Sequence, residues 1–444
     1  MPKTAPPTSL PSAATPAPRA GRRLIWLLGP ALVAGVAYLD PGNVAANMTA
    51  GAAFGYLLVW VVVLGNLMAW LIQYLSAKLG IVTGRSLPEV LGDRIRSRWG
   101  RRAYWLQAEL VAMATDVAEV IGGAVALNLL FGIPLLWGGV ITGVVSMIVL
   151  SVQTRRGARA FETVVITMLI VIVIGFCAGI VASPPDAAAT VGGLVPQFAG
   201  TESVLLAASI LGATVMPHAI YAHSSLVRDR FPLPASGPAE AVPASASAPE
   251  ASPAPTATDG RERRLLRATR WDVTIALLIA GSVNLVMLLL AASSLAGVPG
   301  TDSLEGAYAA LHDGLGPVIA TLFAVGLLAS GLASTSVGAY AGSEIMSGLL
   351  RIRVPLLTRR LVTLVPALVI LGLGIDPTLA LVLSQVVLSF GIPFALVPLV
   401  WLTARRDVLG AFRNRILTTA GGIAASVFLV TLNVVLIWLT VTGG

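Results

Sequence analysis

Two short stretches place metal-binding chemistry where an apolar chain would ordinarily avoid it. The first is YLDPGNVAAN (Tyr38–Asn47) and the second is LGATVMPHAIYAHSS (Leu211–Ser225). In the first, Asp40 and Asn43 interrupt an apolar run beside Pro41 and Gly42. A carboxylate in the middle of a membrane span costs about 2.5–3.5 kcal/mol on insertion scales. Pro41 has no N–H to give the carbonyl of Ala37, and Gly42 lets the backbone open. In the second, Pro217 frees the carbonyl of Ala213 by the same arithmetic, and Met216 sits beside it. Carboxylate, amide and carbonyl oxygens suit hard divalent cations. A thioether suits softer transition metals and is a poor ligand for Ca²⁺ and Mg²⁺. Asp40, Asn43, Met216 and the carbonyls of Ala37 and Ala213 therefore read as a site for a first-row divalent metal, with a filter against the abundant hard ions. An isolated methionine in an apolar span is ordinarily packing. A methionine at a span-breaking proline, matched by a second break that carries Asp40, favours the ligand reading.

A second group suggests proton chemistry. Asp116 and Glu119, in MATDVAEVIGG, are three residues apart and share a helix face. Paired carboxylates in an apolar span usually mark an ion or proton path, although a structural pair capped by a neighbouring polar group would show the same spacing. His218 follows Pro217, and a histidine ordinarily titrates near neutral pH. His223 could equally be a satisfied packing residue, and His312 falls in a loop expected to be solvated. Asn284 and Asn433 read as helix–helix glue. Cys177 is the sole cysteine, so no intrachain disulfide is possible, and it reads as packing.

The elements that must position these groups are membrane spans. Hydrophobic residues make up 56% of the chain and charged residues only 11%, with mean hydropathy +0.86, which excludes an ordinary soluble enzyme. About eleven stretches are long enough to cross a core of ~30 Å. They lie near 24–54 (broken), 55–79, 103–131, 133–152, 161–182, 203–227 (broken), 272–297, 316–345, 357–373, 377–402 and 416–440. All 29 Lys and Arg residues fall in alternate connections, including 78–102, 155–159, 228–270, 351–360 and 405–415. The positive-inside rule then puts the N-terminus in the cytoplasm, and an odd number of spans puts the C-terminus outside. The net charge of +8 follows this loop pattern and does not indicate nucleic-acid binding. Residues 1–21 read as a disordered cytoplasmic tail with no cleavable signal, and 231–260, rich in Pro, Ala and Ser, as a flexible cytoplasmic linker. Residues 84–102 mix basic and apolar types and read as an interfacial segment against anionic headgroups. The transporter domain then covers 22–444. The two broken spans open two five-span units, about 24–182 and 203–402, with an extra helix at about 416–440. An odd number of spans per unit makes them inverted repeats, with a site near the midplane.

DPGN in the first span and MPH in the sixth resemble the signatures of the Nramp family of divalent metal transporters. Gly331–Leu350 (GLASTSVGAYAGSEIMSGLL) resembles a further motif of that family. The likeness covers nearly the whole chain except the tail and the linker. It implies an all-α membrane protein with a LeuT-like fold, importing Mn²⁺ and Fe²⁺, and also Cd²⁺, with protons by alternating access. It implies metal binding by Asp40, Asn43, Met216 and the Ala37 and Ala213 carbonyls, with Gln385 approaching the metal when the outer side closes. It also assigns Asp116 and Glu119 to the proton route, with His218, Arg359 and Arg360 as partners and Asp40 as a shared member. No cofactor, nucleic acid or second subunit is expected. Many family members carry Asn after MPH, where this chain has Ala219. A same-fold transporter of Mg²⁺ or an amino acid fits Met216 or the Asp40–Met216 pair less well. A membrane metalloenzyme would need zinc-ligand spacing such as HExxH, which is absent from the sequence. A non-transporting metal sensor would need more than the featureless linker.

Overall fold

A computed structural model describes residues 29–232, 257–352 and 354–442. The expected N-terminal tail and most of the linker lie outside the described residues. Of the linker, 231–232 and 257–260 are described, and the latter belong to a helix. Among the described residues all regular structure is helical: α1 Pro30–Val36, α2 Pro41–Phe54, α3 Val59–Thr83, α4 Leu87–Arg94, α5 Arg98–Phe131, α6 Leu135–Ala182, α7 Ala187–Gly192 and α8 Gly200–Thr214. The chain continues with α9 Pro217–Arg230, α10 Ala257–Ser294, α11 Leu304–Leu315, α12 Pro317–Leu350, α13 Leu356–Gly372, α14 Pro377–Ala404, α15 Arg406–Leu409 and α16 Ile416–Thr442. Eight stretches among them are long and apolar enough to cross a bilayer, with shorter apolar helices at Pro30–Leu39 and Leu135–Ser151.

Both predicted breaks are present, and proline chemistry explains them. Pro41 and Pro217 each occupy the first turn of a new helix, where a missing N–H leaves nothing unsatisfied and the fixed φ suits the helix. Between α1 and α2 the chain tightens into a 3-10 turn at Ala37–Leu39. Its i→i+3 pattern offers the Ala37 carbonyl the N–H of Asp40, so that carbonyl is less bare than the lost Pro41 donor alone would suggest. Asp40 caps α2, its Oδ1 accepting from the N–H of Asn43 at 2.8 Å. The Tyr38 carbonyl accepts from the side-chain amides of Asn43 and of Asn284 on α10, the latter at 3.0 Å, and the Leu39 carbonyl accepts from the Ser330 hydroxyl on α12. Irregular backbone at membrane depth is tolerated only with such partners, and three separate helices supply them here.

α6 is helical over 48 residues, about 72 Å if it were straight, which is far longer than one crossing. Its packing shows two antiparallel halves. Gly139 faces Leu371, Gly143 faces Leu364 and Ser146 bonds Arg360, so this half runs opposite to α13. Gly175 faces Gly326 and Gly179 faces Ile319, so the second half runs opposite to α12. α12 and α13 themselves run in opposite directions, with Gly342 against Arg359 at the short connection between them. The two spans read at 133–152 and 161–182 thus pack as two separate antiparallel segments within the stretch that α6 covers.

Arg359 and Arg360, at the end of the basic stretch 351–360, lie in the first turns of α13, within the span read at 357–373, and both are buried, because carboxylates on α5 compensate their charge. One expectation about loops changes. The stretch 84–102 is only partly interfacial. Ser86 and Glu89 form a capping box that starts α4, and Leu87, Pro88, Val90 and Leu91 are buried. Gly92 packs against the main chain of Gly348 on α12. Burial opposes ionisation of Glu89, but the N–H of Ser86 and the guanidinium of Arg228 outweigh it and hold that carboxyl below its ordinary range. Trp99, Arg96, Arg98 and Arg102 remain exposed.

Candidate metal centre

The two breaks meet at Gln385. This residue lies in α14, and its Nε2 donates to Asp40 Oδ2 at 3.1 Å. A side chain at Gly42 would overlap the Gln385 amide, and one at Gly212 would strike the Gln385 carbonyl, so both broken spans press on the same residue through glycines. Gly212 immediately precedes Ala213, whose carbonyl lacks the donor that Pro217 cannot provide. Met216 is the N-cap of α9 and is fully buried. Asp40, Asn43 and Gln385 are also 0% exposed, so the site is closed on both sides. Gln385 Oε1 is buried without a hydrogen-bond partner, an acceptor still free to meet a cation. The amide of Asn43 does more structural work than expected. Its Nδ2 serves Tyr38, and its Oδ1 already accepts from Asn47 at 2.6 Å, which leaves one lone pair on that oxygen. Among the described residues no group of three or more His, Cys, Asp and Glu side chains is placed to hold a metal. A metal here would depend on the mixed set of one carboxylate, amide and carbonyl oxygens, and a thioether.

The second group forms one buried ion-pair cluster. Arg360 NH1 meets Asp116 at 2.9 Å and Glu119 at 3.3 Å, and Arg359 meets Asp116 at 3.4 Å. Ser146 accepts from Arg360 Nε at 3.0 Å and Thr335 from its Nη2 at 3.2 Å, and Ser334 donates to Glu119 at 2.9 Å. Sequence reading missed one member, Glu109, which pairs with Arg359 at 2.9 Å. Glu109, Asp116 and Glu119 against Arg359 and Arg360 leave one formal negative charge in excess. His218 stands next to this cluster without bonding to its charges: its Nδ1 pairs with Thr115 at 3.2 Å, and its Nε2 is buried without a partner.

The other polar residues read from the sequence each make at least one polar contact, although His223 Nε2 is buried without a partner. His223 Nδ1 pairs with Gln73 at 2.7 Å, and Gln73 in turn bonds the Tyr38 hydroxyl beneath the first break. Asn433 joins α16 to α14 through both atoms of its amide, at 2.7 and 2.9 Å to Ser389. His312 is exposed beside Asp313. A further residue missed in sequence is Asp272 on α10. Its two carboxylate oxygens accept from the N–H groups of Gly29 and Ala31 at 3.1 and 2.9 Å, and they fix the N-terminus of α1 in the interior.

Comparison with known proteins agrees with this arrangement. Residues 31–439 match the family profile described as Nramp, natural resistance-associated macrophage protein-like. A divalent metal cation transporter (MntH) from Mycobacterium tuberculosis is 60% identical over 418 residues, covering 94% of this chain and 92% of the relative. The MntH of Deinococcus radiodurans is 46% identical, covering 96% of this chain and 92% of that protein. The crystal structure of a manganese transporter from Eremococcus coleocola superposes with TM-score 0.78 at 32% identity, covering 95% of this chain and 88% of the other. MhsT, solved in complex with L-phenylalanine, matches at TM-score 0.57 and 12% identity, covering 92% of this chain and 97% of its own, a likeness of fold alone. The all-α architecture with two broken spans is thus the LeuT-like transporter fold, multi-pass in the membrane and not an enzyme. With its buried mixed-donor site and a family match over almost its whole length, the chain belongs to the Nramp family of metal ion transporters.

Proposed function

We propose that this protein imports divalent transition metal ions, Mn²⁺ foremost with Fe²⁺ and Cd²⁺, across the plasma membrane together with protons, by alternating access. The observation that carries this reading is Asp40. It is a fully buried carboxylate at the break of the first span, and it faces Gln385, whose amide oxygen has no partner. Such a group is costly in a bilayer unless an ion uses it. Rotation of the Gln385 amide would replace an N–H toward Asp40 with an oxygen toward the bound cation. Asp40, Asn43, Met216, Gln385 and the Ala37 and Ala213 carbonyls are the proposed metal ligands. Asp116 and Glu119, bridged by Arg360, with Arg359 paired to Asp116 and His218 close by, are the proposed proton route, with Asp40 linking it to the metal site. In this reading the N-terminus is cytoplasmic, the C-terminus extracytoplasmic, no cofactor is required and a monomer suffices.

The test is Mn²⁺ uptake into proteoliposomes loaded with a pH dye. Wild-type protein should acidify the lumen in step with Mn²⁺ entry, whereas Mn²⁺ entry with no lumenal acidification would refute coupling. Glu119→Gln is the informative variant, because Asp116 keeps Arg360 paired and an amide can still accept from Ser334. A positioned side chain typically accelerates a proton transfer by about 10²–10⁴-fold, so proton flux should fall at least ~10-fold while Mn²⁺ binding by calorimetry is retained. Lost Mn²⁺ binding with normal proton flux would move Glu119 out of the proton route.

A further inference from the structure

Outside the site just described, the groove between α3 and α16 carries two adjoining cavities of opposite character. One, about 420 Å³, is apolar and lined by Leu64, Leu67, Trp70, Leu71, Ala424 and Phe428. The other, about 490 Å³, lies at the basic end of the same two helices and is lined by Tyr74, Lys78, Arg270, Arg413, Arg415 and Leu417. The two share a boundary, since Trp70 lines the first, Tyr74 the second, and their rings stack 6.4 Å apart with planes 13° from parallel. The Arg270 guanidinium lies over the Tyr74 ring at 5.4 Å, and Trp70 Nε1 donates to Thr274 at 2.9 Å, which ties α10 to this edge.

Four cations converge on the basic cavity, and among the described residues none of them makes an ion pair. Lys78 is buried and donates to Asn414 at 2.9 Å, a neutral acceptor. Asn414 itself is clamped to Thr403 through its N–H at 2.9 Å and its side-chain amide at 2.8 Å. The residues on either side of this clamp, Arg413 and Arg415, are exposed at the mouth. Some arginines elsewhere on the basic face do find carboxylates, as Arg85 and Arg351 do at Asp93 and Arg94 does at Asp407. A concentration of uncompensated cations at the end of an apolar intramembrane groove, with aromatic rings between, matches a phosphate headgroup joined to acyl chains.

We propose that the α3–α16 groove is a binding site for an anionic glycerophospholipid. Its phosphate lies among Lys78, Arg270, Arg413 and Arg415, and an acyl chain lies along Leu67, Leu71 and Ala424. The lipid would brace α16 against α3. This proposal does not depend on the metal or proton assignments.

The experiment uses the purified full chain in detergent and measures lipid retention by native mass spectrometry. The probes are phosphatidylglycerol, phosphatidylcholine with the same acyl chains, and inorganic phosphate. Wild-type protein should prefer phosphatidylglycerol over phosphatidylcholine. In Arg270→Gln/Arg413→Gln/Arg415→Gln each lost cation should cost about fivefold, on the order of a hundredfold together, so that the preference vanishes. Arg96→Gln/Arg98→Gln/Arg102→Gln removes as much charge from another exposed part of the same face and should leave the preference intact. Ala424→Trp, which fills the apolar groove, should weaken retention of phosphatidylglycerol with all headgroup cations present. Equal retention of both lipids by wild type, or equal loss in the two triple variants, would show only diffuse electrostatics and overturn the proposal. Unchanged retention in Ala424→Trp, or displacement of the lipid by inorganic phosphate, would also overturn it, because the acyl chain would then contribute nothing.

Discussion

Asp40→Asn should abolish Mn²⁺ uptake while leaving the fold intact, and Asp40→Ala should abolish uptake at a modest cost in stability. The two variants separate the two jobs of this side chain. As the cap of α2, Asp40 accepts from the N–H of Asn43 at 2.8 Å, and an asparagine oxygen can do the same. Loss of a cap costs about 1 kcal/mol, so Asp40→Ala should melt slightly below Asp40→Asn. Removing a buried carboxylate also relieves the expense of holding it in the bilayer, about 2.5–3.5 kcal/mol on insertion scales, which argues against global unfolding in either case. What neither variant retains is the one carboxylate at the breaks. A divalent ion leaving water for a site of amides, carbonyls and a thioether would meet no compensating charge, and transport should fall to background in both. Wild-type-like uptake by Asp40→Asn, measured with radioactive Mn²⁺ in proteoliposomes, would show that the residue is only a helix cap.

Met216→Ala should change which ions compete, more than how well Mn²⁺ is carried. Every other proposed ligand is an oxygen, and an all-oxygen site gives no reason to refuse Ca²⁺ or Mg²⁺. Met216 is fully buried at the start of α9 and is the soft donor available at either break. Its thioether disfavours hard ions and favours softer ones. In the alanine variant a water oxygen can occupy the vacated position, so Mn²⁺ affinity should fall only modestly. Cd²⁺ transport should fall most, and excess Ca²⁺ or Mg²⁺ should begin to inhibit Mn²⁺ uptake or to enter. The competition assay decides the matter. If neither hard ion gains access and Cd²⁺ is carried as before, Met216 is packing and discrimination arises elsewhere.

How much of this was legible in the sequence depended on whether the cause was local. The two breaks were legible because Pro41 and Pro217 act on their own helices, through a missing donor at a fixed offset. The pairing of Asp116 with Glu119 was legible from helical spacing. Glu109 carried the same signal, standing seven residues before Asp116 and so two turns along one face, and was overlooked. Asp272 offered no such signal, because the N–H groups it accepts from belong to Gly29 and Ala31, more than two hundred residues away in the chain. The two satisfied carbonyls of the first break depend in the same way on Asn284 and Ser330. Counting positive charge by loop says nothing of what Arg359 and Arg360 pair with, since the rule weighs sign and sequence position, and their place beside Asp116 came from family resemblance. The part played by Gln385 came from family resemblance alone. A glutamine in an apolar span has many readings until Gly42 and Gly212 are seen to close on it.

X-ray absorption at the cadmium edge tests most directly that the two breaks form one metal site. Cd²⁺ bound to the purified wild-type protein should show a shell of oxygen neighbours with one sulfur neighbour. That sulfur should be absent in Met216→Ala, and the whole ordered shell should be lost in Asp40→Asn. An all-oxygen shell in the wild-type protein, or a sulfur neighbour that persists in Met216→Ala, would contradict a site built jointly from the first and second breaks.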